Sequence, residues 1–334
     1  MSLHEQRDGI LETQVTWADL ERHLQKALKT SATLGPARNV VEIGEENGFA
    51  SRCGLVSCDW VGAEKDEKLP ETVVLKIPSA LPMKKMGVMQ GDAAMWEGYD
   101  KKLRELHNIE IAAYNFLGKF EGLSIPRMYY GEVFTEEDKL NGQICIEFVE
   151  NSRVMNFYVE HTVEQLKQIA RALGKIQACS LRKEISASEL KTNMLADFAK
   201  TVSLECAYSG VGVTDLLRIS LFALPAKERR ESASQLVEEM YTSMVENLGG
   251  AESPYSLEKL QSLYDILLPH SATYFAAGGI VFIAKQAANA KLSMEEKEKR
   301  KPVQMDKVIG ALEDILVYHG KNKELVKELK FKDQ

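Results

Sequence analysis

The chain has 334 residues, 45% of them apolar and 27% charged, with a net charge of −7. This is ordinary globular composition, long enough for one large domain or two lobes. The acidic balance and the lack of a Lys/Arg block interleaved with aromatics argue against a nucleic-acid partner. The five cysteines are scattered without zinc spacing, which fits a reduced, cytoplasmic protein with free thiols.

The polar N-terminus, MSLHEQRDGILETQVTW, has no signal-peptide core. Residues 39–149 alternate short β-like runs with turn signals rich in Gly, Asn, Asp and Pro, predicting a small antiparallel sheet. The runs are Asn39–Ile43, Arg52–Val61, Thr72–Ile77, Arg127–Val133 and Gln143–Phe148. A strong helix interrupts them at about Tyr99–Phe120, preceded by a Met- and Gly-rich stretch, 81–98, that reads as a mobile loop. From about Glu150 the pattern is helical. Thr162 and Gln165 form a capping box ahead of Leu166, Ile169, Ala170, Leu173 and Ile176 at helical spacing. Further helices are predicted at about 186–206, 214–224, 226–247, 256–267 and 303–318. The apolar stretch Ala272–Ala284 is too short to span a bilayer and reads as a core helix or an irregular core segment. The mixed-charge run at 294–302 reads as a solvated connector.

Three features carry chemistry. Gly44, Asn47, Gly48, Ala50 and Ser51 form a small-residue turn between two strands, where backbone N–H groups can approach an anion; many hairpins contain such glycines without binding anything. Lys76 stands inside the apolar strand Thr72–Ile77, where its ammonium either needs an anionic partner or snorkels from a strand edge. Glu110 supplies the partner. It falls four residues after Leu106 and three before Ala113, on the face shared by Leu103, Ile109, Phe116, Leu117 and Phe120. A strand lysine oriented by a helix glutamate, behind a Gly-rich turn, is the phosphate-neutralising arrangement of kinase-type sites. His107 has no second ligand at metal spacing and reads as structural.

The chain resembles the CHK-kinase-like family, the ecdysteroid-kinase-like relatives of choline kinases and aminoglycoside phosphotransferases. The resemblance lies in "GEENGFASRCGLVSCDW", "VVLKIP", "LHNIEIAAYNFL", "IPRMYYGEVF", "ICIEFVEN" and "TVEQLKQIARALGKIQACSL". It resumes with "VTDLLRISLFALPAKERRESASQLVEEMY" and "SPYSLEKLQSLYDILLPHSATYFAAGG". It implies an α+β, protein-kinase-like two-lobe fold: residues 1–149 a β-rich N-lobe with an N-terminal extension, and residues 150–334 a helical C-lobe shortened near 208–214. ATP would lie between the lobes near residues 147–152. Lys76 and Glu110 would orient phosphates, residues 44–51 would cover them, and Glu147–Glu150 would run beside the adenine.

The departure is as informative. The family's His-Gly-Asp, following Asn and Asp-Trp/Tyr-Gln place the substrate hydroxyl and Mg²⁺. No histidine here is followed by Gly-Asp; "HGKN" at 319–322 has lysine in the aspartate's place, and no Asp-Trp-Gln or Asp-Tyr-Gln occurs. The pattern runs out near "LADFAKTVSLECAY" and resumes at "GVGVTDLLRI", so the missing block falls at 209–213. Asp215 reads as a support of the C-lobe and Asp197 as a helix residue rather than a substitute base. The expectation is a catalytically impaired member of the small-molecule phosphotransferase superfamily, with ATP as its weakly held nucleotide and neither a catalytic residue nor a Mg²⁺ ligand set. The alternatives are a pseudokinase-type nucleotide-binding or protein-interaction module, and an alcohol- or choline-like kinase active only in a longer form. Expected partners are a nucleotide, the family's unknown small-molecule substrate, and a second copy through an exposed C-lobe face. Neither nucleic acid nor a membrane span is expected.

Overall fold

In the computed structural model, residues 2–44, 50–85, 92–152, 155–182 and 212–330 are described. The chain divides into two compact units, Met1–Val154 and Met155–Gln334. The fold class is α+β, as the sequence predicts.

The first unit opens with a 3₁₀ turn, Ile10–Glu12, and helix α1, Trp17–Leu28. Thr16 and Asp19 close a capping box, and Lys29 ends the helix in the left-handed region at φ 57°. The strands are β1 (Thr33–Leu34), β2 (Asn39–Ile43), β3 (Ser51–Ser57), β4 (Trp60–Val61) and β5 (Thr72–Pro78). Helices α2 (Leu81–Lys85) and α3 (Ala93–Leu117) follow, then β6 (Met128–Glu132) and β7 (Gln143–Glu147). Strands β2-β3-β5-β7-β6 form one sheet, antiparallel at every pairing.

Alternation along β5 buries Val73, Leu75 and Ile77 on one face. There they join Val56 and Cys145, with Ile10, Val15, Leu20 and Leu24 from the N-terminal segment. The N-terminal segment, of which residues 1–17 read as polar from sequence, therefore covers the core face of the sheet with these four residues. Arg52 ties the same layer to Glu12 and Glu42. Lys76 points to the opposite face, where α3 packs.

The stretch 81–98 is corrected in part. Leu81–Lys85 is helical, and α3 begins at Ala93, capped by Asp92, whose side chain accepts from Met95 N at 3.0 Å. Residues 86–91 lie outside the described residues.

The second unit comprises α4 (Val163–Leu181), α5 (Val213–Ala223), α6 (Ala226–Glu246), α7 (Leu257–Ala288) and α8 (Met294–Lys330) among the described residues. The Thr162–Gln165 capping box is present. Leu166, Leu216, Leu217, Leu221, Leu236, Met240, Leu260, Tyr264, Leu268 and Ala311 build the core. Gly174 permits close approach of α4 to α6, since a Cβ there would press on the backbone of Met240 and Met244. By length and composition alone α7 could cross a bilayer; its residues Leu260, Tyr264, Leu268, Ala272 and Ala276 are buried within the unit.

Two expectations on length are corrected. Residues 256–267 and 272–284 belong to one helix, α7, and the run 294–302 is the first part of α8 rather than a connector. The helix expected at 186–206, Asp197, and most of the junction at 209–213 lie outside the described residues.

Candidate phosphate-binding site

Strand β5 is central in the sheet, and its residue Lys76 pairs across to Cys53 on β3 and Ile144 on β7. Helix α3 crosses the same face, and Lys76 Nζ donates to both carboxylate oxygens of Glu110, at 2.7 and 2.5 Å. The side chains are 31% and 33% exposed. The pair is therefore not buried, as the apolar strand suggested; it sits on the open, alternate face of β5. Of the ammonium's three N–H groups, two face Glu110, leaving one for an outside anion.

Glu110 is held in place by its neighbours on α3. The side chain of Asn108 bonds both backbone groups of Phe134, donating to O at 2.9 Å and accepting from N at 2.8 Å. His107 Nε2 donates to the Glu132 carbonyl at 2.7 Å. Burial holds that imidazole below its usual pKa, so it is neutral at pH 7 and structural, as expected from sequence. Ile111 sits on Gly131 of β6, where a Cβ would come within 2.9 Å of it. Contacts at His107, Asn108 and Ile111, within little more than one turn of α3, thus fix the register of Glu110 against Lys76.

The inward face of α3 differs from the one read from sequence. Trp96, Asp100, Leu103, His107, Ile111 and Phe116 are buried, whereas Leu106 faces out. Asp100 accepts from Leu3 N at 2.9 Å and lies 3.3 Å from His4 Nδ1, fastening the N-terminal segment to α3. Sequence reasoning missed Asn108 and Asp100 because their partners are distant in the chain; the N-cap Asp92 was a local signal for the true helix start.

The predicted small-residue turn is described at its two ends. Gly44 follows β2 with φ +74°, in open space, which suits glycine. Ser51 begins β3 opposite Pro78, on the face that carries Cys53 and Lys76. Asn47 and Gly48 lie outside the described residues. Burial pushes the Cys53 thiol up, and Lys76 pulls it down less strongly, so it is no nucleophile at neutral pH. Glu147 ends β7, where its carboxylate accepts from Arg127 N at 3.2 Å. Asp215 is in the first turn of α5, its exposed carboxylate 4.0 Å from Arg218. Among the described residues no group of three or more His, Cys, Asp or Glu side chains is placed to share a metal ion.

The profile of one family, DUF1679, described as "Uncharacterized oxidoreductase dhs-27", matches residues 3–206 and 205–323. No curated protein matches the chain. A solved structure from Ralstonia eutropha, named as a "putative aminoglycoside phosphotransferase", aligns over 88% of this chain and 97% of its own, with 10% identity and a TM-score of 0.34.

Proposed function

The chain belongs to the DUF1679 family, and we propose that it is a kinase-like protein of the small-molecule phosphotransferase type, impaired in phosphoryl transfer but retaining a nucleotide-phosphate cradle. The observation that carries the reading is the Lys76–Glu110 pair. The lysine is on the third strand of a five-stranded antiparallel sheet and the glutamate on the long helix that follows, as in protein kinases, where that pair orients the ammonium toward the nucleotide phosphates.

The oxidoreductase in the family's description belongs to the protein it was given to. A dinucleotide-binding domain needs parallel strands joined by crossover helices. The antiparallel pairings of this sheet favour the phosphotransferase reading instead.

Lys76 fits the anionic oxygens of ATP, and Gly44 and Ser51 flank the segment that reads from sequence as the turn covering them. The sequence lacks His-Gly-Asp and the metal-binding aspartate motif. Loss of a general base alone removes ~10²–10⁴ in rate, about 3–5.5 kcal/mol of barrier. Uncompensated phosphate charge adds to that. The described cysteines, Cys53, Cys58, Cys145 and Cys179, are free thiols, which supports a cytoplasmic protein.

The test uses the purified full chain with γ-labelled ATP. Equilibrium dialysis should show binding that Lys76→Met removes, and release or transfer of label should stay at background with or without Mg²⁺. Magnesium-dependent turnover would overturn the impairment; absence of binding would overturn the cradle.

A further inference from the structure

Helix α8 buries Gln304, Lys307, Val308, Ala311 and Asp314 on one side. On its other side Met305, Ile309, Leu312 and Leu316 are spaced four, three and four residues apart and are 36–77% exposed. At 100° per residue these four fall within about 60° of one another, a straight apolar line roughly 16 Å long. Heptad spacing of this kind is the seam of helix–helix pairing, and a helix that serves only solvent has no reason to carry it.

The charges at its ends say what covers it. Glu298 lies seven residues before Met305, and Lys323 seven residues after Leu316, on the same line of the helix and both exposed. Neither makes an ion pair among the described residues. The stripe is thus symmetric about its midpoint in apolar residues and opposite in charge at its two ends. Laid antiparallel on itself, Met305 meets Leu316, Ile309 meets Leu312, and Glu298 of each copy meets Lys323 of the other. A parallel pair would instead set Glu298 on Glu298 and Lys323 on Lys323.

We propose that the Met305–Leu316 stripe of α8 is a homodimerisation surface, pairing antiparallel with α8 of a second copy about a two-fold axis near residues 310–311. Such an isologous contact closes on itself and leaves no free apolar end. One helix stripe is smaller than the roughly 800 Å² per partner of a standard interface, so the dimer is a weak one, on the order of micromolar. The inference does not depend on the nucleotide reading.

Sedimentation velocity on the full chain from low micromolar to about 200 μM tests it. A monomer–dimer equilibrium is expected, with Leu316→Glu raising the dissociation constant about 30-fold or more, because it places a carboxylate against Met305 twice, once at each end of the stripe. The side chain is 77% exposed, so the fold should survive, and circular dichroism checks that it does. Lys323→Glu alone should weaken the dimer and Glu298→Lys with Lys323→Glu should restore it. That rescue is specific to antiparallel self-pairing. A monomer at every concentration overturns the proposal, as does a dimer indifferent to Leu316→Glu. Failure of the rescue overturns the antiparallel register. A monomer whose binding to phosphatidylcholine–phosphatidylserine vesicles is lost with Leu316→Glu would assign the stripe to lipid and likewise overturn it.

Discussion

Replacing Lys76 by methionine should barely change the stability of the unliganded protein and should erase its response to ATP. The two effects separate because of where the pair sits. With side chains 31% and 33% exposed, the ion pair is screened by water, and such pairs contribute ~0–1 kcal/mol. Methionine keeps much of the aliphatic stem along β5, so packing is preserved. Ligand binding follows a different scale: ATP at 100 times its dissociation constant stabilises the folded state by about 2.7 kcal/mol. For a unit of this size 1 kcal/mol moves the melting midpoint by roughly 2–4 °C, so saturating ATP should raise it by about 5–10 °C. Thermal shift of wild type, Lys76→Met, Glu110→Gln and the double variant, each with an ATP series, gives the complete cycle. The expected result is a coupling below about 1 kcal/mol without nucleotide, and loss of the ATP shift in every variant lacking Lys76. A coupling of 3 kcal/mol or more without nucleotide would make the pair a structural strut. An ATP shift that persists in Lys76→Met would place the phosphates elsewhere.

Asp314 of α8 accepts from Arg229, which is almost wholly buried, and from Arg230 Nε at 2.7 Å. Asp314→Ala strands the Arg229 charge and should cost about 3–5 kcal/mol in urea denaturation; a loss under 1 kcal/mol would contradict that burial. Lys307 is fully buried, bonded to the carbonyls of Phe157 and Val159 at 3.0 and 2.7 Å, and burial lowers its pKa to about 8 despite Glu160 and Asp306 nearby. Between pH 8 and the ordinary value of 10.5 the unfolded chain holds a proton there that the folded one does not, so this group's contribution to stability rises with pH. The wild-type stability measured against Lys307→Met should therefore improve steadily from pH 8 to 10, and a flat difference would refute the shift. Gly174→Ala would drive a Cβ within 2.9 Å of Met244 N and should cost about 1–3 kcal/mol by overpacking; an unchanged midpoint would mean that α4 and α6 can part without penalty.

Much of the first unit was legible in the sequence because its strands obey local rules. The five runs between Asn39 and Phe148 read from alternation and turn residues correspond to β2, β3 with β4, β5, β6 and β7, most of them within a residue or two. Lys76 and Glu110 were legible for the same reason: one cation in a strand and one carboxylate at helical spacing leave few arrangements that satisfy both. What sequence hid was polar burial. Asp100 and His107 lie on the inward face of α3 because Leu3 N and the Glu132 carbonyl receive them, and nothing within a turn of either residue announces those partners. Leu106, apolar and well spaced, faces outward because Ile111 on Gly131 sets the rotation of the helix.

In the second unit, two helices that read as short from sequence run on through prolines. Pro269 has no backbone N–H, so Asp265 O lacks its helical donor close to where the helix read from sequence ends, at about residue 267. In the fold Asn322 of α8 reaches across, with its amide nitrogen 3.0 Å from Ile266 O and 3.5 Å from Asp265 O, and the helix continues. A side chain more than fifty residues away thus repairs a local defect, a compensation that only tertiary structure supplies. Pro302 likewise stands inside α8, which from sequence reads as a helix at 303–318 preceded by a mixed-charge connector at 294–302. The continuous helix from Met294 to Lys330 changes the meaning of those charges. Only on one unbroken helix do Glu298 and Lys323 stand a full heptad beyond either end of the Met305–Leu316 line, and only then does the stripe become complementary to its own reverse.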